Sequence, residues 1–128
     1  MPEACQDEQG VWNPIYIGTL CFACNTDWFA RTGTPMPTCW DDLLPPALAG
    51  QIVMADPKSS GTSYTTLATL VQARGEDKAW EYLRKLAQNI REYPASSTEA
   101  VQQVSEGNDA VTIVFYHDGR RAVLNGRR

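Results

Sequence analysis

The sequence holds one histidine, His117, in 128 residues. A Ser-His-Asp hydrolase would have to use it, yet no G-x-S-x-G elbow accompanies it. Ser59-Ser60-Gly61-Thr62 lacks the G-K-[ST] ending of a nucleotide-binding P-loop. No enzyme is expected, and a small hydrolase is the most distant reading. Basic residues are outnumbered, 11 Lys and Arg against 15 Asp and Glu, for a formal net charge of −4. Phosphate contacts need a basic face, so no nucleic-acid partner is expected. No apolar run approaches the ~18–20 residues that span a bilayer. The first eight residues, MPEACQDE, have neither a basic stretch nor an apolar one. They are not a secretory signal peptide, and a complete product starting there would be cytoplasmic. Cysteine is sparse: Cys5, Cys21, Cys24 and Cys39 are few for a disulfide scaffold. Repeats, low-complexity segments and interior linkers are absent. What remains, 43% hydrophobic and 20% charged, is the composition of one soluble globular domain.

Strand and helix signals alternate along the chain. Ile15 to Cys24 is a long run of β formers and predicts a buried strand. Asn25 and Thr26 cap a short helix, Asp27 to Arg31, which Gly33 stops. Thr38, with Asp41 three residues on, reads as the cap of a short helix through Leu44, which Pro45-Pro46 ends. Gln51 to Ala55 is a second strand. Ser59–Thr62 opens a helix with Tyr64, Leu67, Ala68, Leu70 and Val71 on its inner face, and Gly75 ends it. The next helix, Glu76 to Ala87, turns Ala79, Trp80, Leu83, Leu86 and Ala87 inward. Ile90 to Tyr93 is a short strand. Ser96-Ser97-Thr98-Glu99 is a capping box whose helix runs to Glu106. Ala110 to Phe115 is the last strand, and Arg120 to Leu124 a final helical turn. The pattern predicts an α/β fold: a three-layer sheet with helices on both faces.

In such sheets ligands bind beyond the carboxyl ends of the strands. Three polar segments are expected there: Ser59–Ser63, Ser96–Thr98 and Tyr116–Asp118. The first two are helix starts, where free N–H groups and the helix dipole favour an anion. The candidate ligand-binding residues are therefore Ser59, Ser60, Gly61, Thr62, Ser63, Ser96, Ser97, Thr98, Tyr116, His117 and Asp118. His117 and Asp118 suit hydroxyl or ammonium groups, so the pattern favours a phosphorylated small organic solute. The competing reading of each serine is a simple helix cap, and of His117 an exposed loop residue.

Tyr16-Ile-Gly-Thr-Leu-Cys-Phe-Ala-Cys-Asn-Thr-Asp-Trp-Phe resembles the hinge strand and first helix of one lobe of a bacterial ABC-transporter solute-binding protein. Trp40-Asp-Asp-Leu-Leu and Leu48-Ala-Gly-Gln-Ile-Val-Met-Ala-Asp-Pro resemble that family's W-x-D-L-x-x-P-x-x-x-G-x-I stretch. Ser59-Ser-Gly-Thr-Ser-Tyr, Gly75-Glu-Asp-Lys-Ala-Trp-Glu-Tyr-Leu, Ser96-Ser-Thr-Glu-Ala-Val and Val114-Phe-Tyr-His-Asp continue the likeness in order, from Val11 to Gly119. The branch resembled is that of the ferric-ion, phosphonate and sugar-phosphate binders of the type 2 periplasmic class. The resemblance implies a single lobe, the second and inserted one, over residues 11–119. A tail over 1–10 and a basic tail over 120–128 would flank it. It implies ABC-type import of an anionic solute, phosphorylated or a phosphonate, with a permease as partner and a periplasmic location. The expectation is a one-lobe chain, either an excised segment or a natural truncated gene.

Two alternatives follow from the same resemblance. One is a ferric-iron-binding lobe. That branch places two adjacent tyrosines after the last strand, where His117 and Asp118 stand here, and two ligands from one lobe are too few for a closed metal site. No metal and no cofactor are therefore expected. The other is an interaction module: a lobe without its partner exposes association surface. A homodimer is expected, with contacts at Val11–Ile17 and Phe115–Leu124. Cys21 and Cys24 have the spacing of a redox or zinc pair, but i and i+3 on a strand face opposite sides. They read as small buried hydrophobes.

Overall fold

The computed structural model describes residues 5–126. Its centre is a four-stranded sheet in the order β1-β4-β2-β3. The strands are β1 (Leu20–Cys24), β2 (Ile52–Val53), β3 (Ile90–Glu92) and β4 (Val111–Phe115). β-branched Val111, Thr112, Ile113 and Val114 suit a strand with both neighbours occupied. All four are buried. β4 runs antiparallel to β1, pairing Leu20 with Phe115 and Cys24 with Val111. It runs parallel to β2, which in turn runs parallel to β3.

Five helices cover the sheet: α1 (Thr26–Thr32), α2 (Gly61–Arg74), α3 (Glu76–Ala87), α4 (Ser97–Ser105) and α5 (Tyr116–Leu124). On one face Ile52, Val111 and Ile113 join Trp28 and Phe29 of α1, Leu70 of α2 and Leu86 of α3 in the main core. On the other face Val53 packs with Ala100 and Val104 of α4. Gly119 of α5 lies close to Val114, Ala23 and Cys21 on that same side. Helices therefore lie on both faces, the three-layer α/β architecture expected.

Several expectations need correction. Residues 15–19 are not strand: Ile15 is 92% exposed, and Tyr16 and Ile17 are exposed too. β4 supplies no partner there, because the chain leaves the sheet after Phe115, where the Tyr116 N–H donates to the Thr19 carbonyl at 2.8 Å. Tyr116 to Gly119 is not a loop but the first turn of α5. On α2 the inner face carries Thr62, Ser63, Thr66 and Leu70, and Tyr64 points out. On α3 the buried residues are Ala79, Tyr82 and Leu86 (an i, i+3, i+7 stripe), so Trp80 and Ala87 fall outside it. Burial pushes the Tyr82 phenol up, and its hydroxyl donates to the Trp40 carbonyl.

The turn after Pro37 is capped by Cys39, not Thr38. Asp42 closes it, its Oδ2 accepting from Thr38 N (2.8 Å), Thr38 Oγ1 (2.9 Å) and Cys39 N (3.0 Å). Those donors pull the Asp42 carboxyl down to about 2.

Two buried polar contacts fasten the elements. Asn25 caps α1, its Oδ1 accepting from Trp28 N at 2.8 Å, and its Nδ2 donates across to the Val104 carbonyl at 2.8 Å. Before β4, the carboxylate of Asp109 is fully buried. Arg91 of β3 grips it with two bonds, Nε to Oδ1 at 2.9 Å and Nη2 to Oδ2 at 2.6 Å.

Candidate functional site

Because β2, β3 and β4 are parallel, their carboxyl ends open on one edge of the sheet. The chain after β2 reaches α2 by a tight turn in which Ser59 N and Ser60 N both donate to the Asp56 carbonyl, at 3.1 and 2.8 Å. Asp56 N donates to Pro94 O at 2.8 Å, and Ser59 Oγ to Ala95 O at 2.8 Å, which ties this turn to the one after β3. Ser60 then caps α2 and Ser96 caps α4, their hydroxyls accepting from Ser63 N and Glu99 N. Ser60 Oγ and Ser97 Oγ lie 2.9 Å apart and share a hydrogen bond. Two helix starts are thus held side by side.

An open cleft of about 500 Å3 lies at this junction. Ser59, Ser60, Gly61 and Thr62 line one side, Ser96, Ser97 and Thr98 the next, with Tyr16, Phe115 and Asp118 completing the wall. The caps occupy the N–H groups of Ser63 and Glu99. Those of Gly61, Thr62, Ser97 and Thr98 have no carbonyl of their own helix to meet. The lining holds hydroxyls, backbone donors and one carboxylate, and neither Lys nor Arg. An anion placed here would meet neutral dipoles aimed from two helix starts.

The structure brings together eight of the eleven predicted residues: Ser59, Ser60, Gly61, Thr62, Ser96, Ser97, Thr98 and Asp118. The other three lie elsewhere. Ser63 points into the protein, 1% exposed, and its hydroxyl has no hydrogen-bond partner among the described residues. Tyr116 lines a separate apolar groove with Cys21, Val101 and Gly119. His117 is exposed behind the wall, stacked on Phe115 with centroids 5.6 Å apart and edge-on to Tyr16 at 6.2 Å. Its Nε2 stands 3.6 Å from Asp118 Oδ2. It thus packs against the wall ring of Phe115 and beside the Asp118 carboxylate.

Tyr16, Phe115, Thr65 and Ala95 also line the cleft, and the sequence reading missed them. Tyr16 and Phe115 were absorbed into strands. Gly18 was the available signal for Phe115: a Cβ there would lie 2.9 Å from the Phe115 ring, so only glycine lets that ring lie against the backbone.

Among the described residues no group of three His, Cys, Asp or Glu side chains gathers as a metal site. Cys21 and Cys24 are free thiols. Burial, with Asp118 nearby, raises the Cys21 thiol, and burial beside Cys21 pushes Cys24 up to about 11. Protonated thiols are poor nucleophiles and poor metal ligands.

Comparison with known proteins places the chain among binding proteins of similar fold. The chain is 39% identical over 113 residues to an uncharacterized protein of Haemophilus influenzae, matching 88% of this chain and 33% of that one. It is 42% identical, with a TM-score of 0.83, to the periplasmic binding protein AfuA of Actinobacillus pleuropneumoniae, solved with exogenous fructose-6-phosphate bound. That match covers 88% of this chain and 35% of AfuA. The periplasmic binding protein P5PA is 43% identical, with a TM-score of 0.75 over 77% of this chain and 31% of its own. The chain thus spans about a third of the length of these relatives. The family model for bacterial extracellular solute-binding proteins matches residues 1–127. With this lobe architecture and the matches at its back, the chain belongs to the bacterial extracellular solute-binding protein family.

Proposed function

We propose that this chain is a solute-receiving lobe of a periplasmic binding protein that serves an ABC importer and catalyses nothing. Its solute is a small organic anion, phosphorylated or a phosphonate. The Ser60–Ser97 hydroxyl bond carries this reading, because it sets two helix starts against one cleft. The anionic group sits on the N–H groups of Gly61, Thr62, Ser97 and Thr98, and Tyr16 and Asp118 meet the hydroxylated end. Support comes from AfuA, which holds a sugar phosphate on a chain 42% identical to this one.

Titration with fructose-6-phosphate, followed by amide NMR, tests the reading. The Gly61, Thr62, Ser97 and Thr98 signals should move first. Affinity near millimolar corresponds to only ~4 kcal/mol. The anion site is wrong if a saturating concentration leaves those amides where they were.

The 128-residue chain by itself is a homodimer under this proposal. Ile15, Ile17, Tyr116, Val123 and Leu124 are all exposed. They lie in the two segments flanking β1 and β4, and such a concentration of bare apolar side chains marks an association surface. Sedimentation equilibrium at micromolar concentration should show twice the monomer mass. A single monomeric species across the range would rule the dimer out.

A further inference from the structure

The cleft does not end at its far wall. Thr98 and Asp118, which line it, are also the near end of a narrow groove of about 120 Å3 between α4 and α5. Val101 and Ala122 form its sides, and Arg121 and Asn125 lie further along it. Of the arginines near the sheet, Arg74 is paired with Asp41 at 2.9 Å and Arg91 with Asp109 at 2.6 Å. Arg121 forms no salt bridge among the described residues. Its neighbour one turn back, Asp118, faces His117 instead. A guanidinium that makes no ion pair, in a groove that shares Thr98 and Asp118 with the cleft, is a ready partner for a second anion.

From this geometry we propose a second subsite, in which the α4–α5 groove takes a second acidic group of the solute on Arg121. This rests on the anion site proposed for the cleft. The solute class becomes a small phosphorylated compound with an anionic group at each end. One group rests on the α2 and α4 starts, and the chain of the solute passes Thr98 and Asp118. Asp118, which lines both cavities, fits the middle of such a molecule, where hydroxyls can donate to its carboxylate. The fork of Arg121 accepts phosphate and carboxylate alike. A bisphosphate and a phosphorylated sugar acid therefore both qualify.

Calorimetric titration tests this with fructose-6-phosphate, fructose-1,6-bisphosphate and 6-phosphogluconate against the unaltered chain, Arg121→Ala and Arg120→Ala. Arg120 points into the other groove, beside Cys21 and Val123, so its variant removes the same charge elsewhere. The unaltered chain should bind at least one doubly anionic compound ten-fold or more tighter than fructose-6-phosphate. Arg121→Ala should erase that preference and leave fructose-6-phosphate affinity within two-fold, while Arg120→Ala keeps the preference. Whichever of the two probes shows it identifies phosphate or carboxylate as the second group. Equal affinity for all three compounds, or a preference that survives Arg121→Ala, overturns the subsite. Failure of all three to bind overturns the cleft reading itself.

Discussion

Replacing Arg91 by alanine should cost about 3–5 kcal/mol of folding stability, the usual result of leaving a buried carboxylate without its counter-charge. A domain of this kind has only ~5–15 kcal/mol in total. Asp109 is fully buried and depends on Arg91 for both of its side-chain bonds. The pair also links β3 to the entry of β4, across β2. Thermal unfolding should move down by more than ~10 °C. Adding Asp109→Asn to the variant should recover part of the loss, because an amide tolerates the unpaired site better than a charge. A change below ~1 kcal/mol would place the pair among ordinary surface ion pairs and refute its role.

A second substitution separates binding from folding. Ser97→Asp puts a carboxylate at the first position of α4, where negative charge suits the helix dipole. The new side chain can still accept from the Ser60 hydroxyl, so the melting temperature should hold or rise. Anion binding should collapse. Two like charges ~4 Å apart repel by ~4 kcal/mol at an effective dielectric of 20. Solvent in an open cleft reduces that, and a ten-fold loss of fructose-6-phosphate affinity is the minimum expected. Unchanged phosphate shifts at Gly61 and Thr62 in this variant would mean that the anion is held elsewhere.

The framework of the fold was legible because its punctuation is local. Gly33, Gly75 and Gly107 all take a positive φ close behind helices that the sequence ended there. Ser96 caps as its spacing indicated, and Ser60 caps the helix that the sequence opened at Ser59–Thr62. The helix starts of the cleft were readable for the same reason. What could not be read depends on neighbours distant in sequence. Ile15–Ile17 look like strand and have strand propensity, yet β4 ends before it can pair with them. Tyr16 thereby reaches the cleft instead of the core. Tyr82 and Trp80 are both large aromatics on one helix, and only packing against the loop carbonyl of Trp40 decides which is buried. Ser63 looked like its hydroxyl neighbours, but a helix turns 100° per residue and carries it to the sheet side.

The place of β4 has a consequence for synthesis. Of the four described strands it is the last in sequence, yet it lies between β1 and β2. While the ribosome is still short of residue 111, β1 has no strand to pair with, and β2 and β3 form only a short parallel ribbon. Neither is stable alone in water. Two helix layers emerge with their apolar sides uncovered, and the cleft lacks the wall that Phe115 and Asp118 supply. Folding of this lobe is therefore held back until residues 111–115 are available. Until then the emerging segments leave apolar surface uncovered, the condition in which chaperones engage their clients.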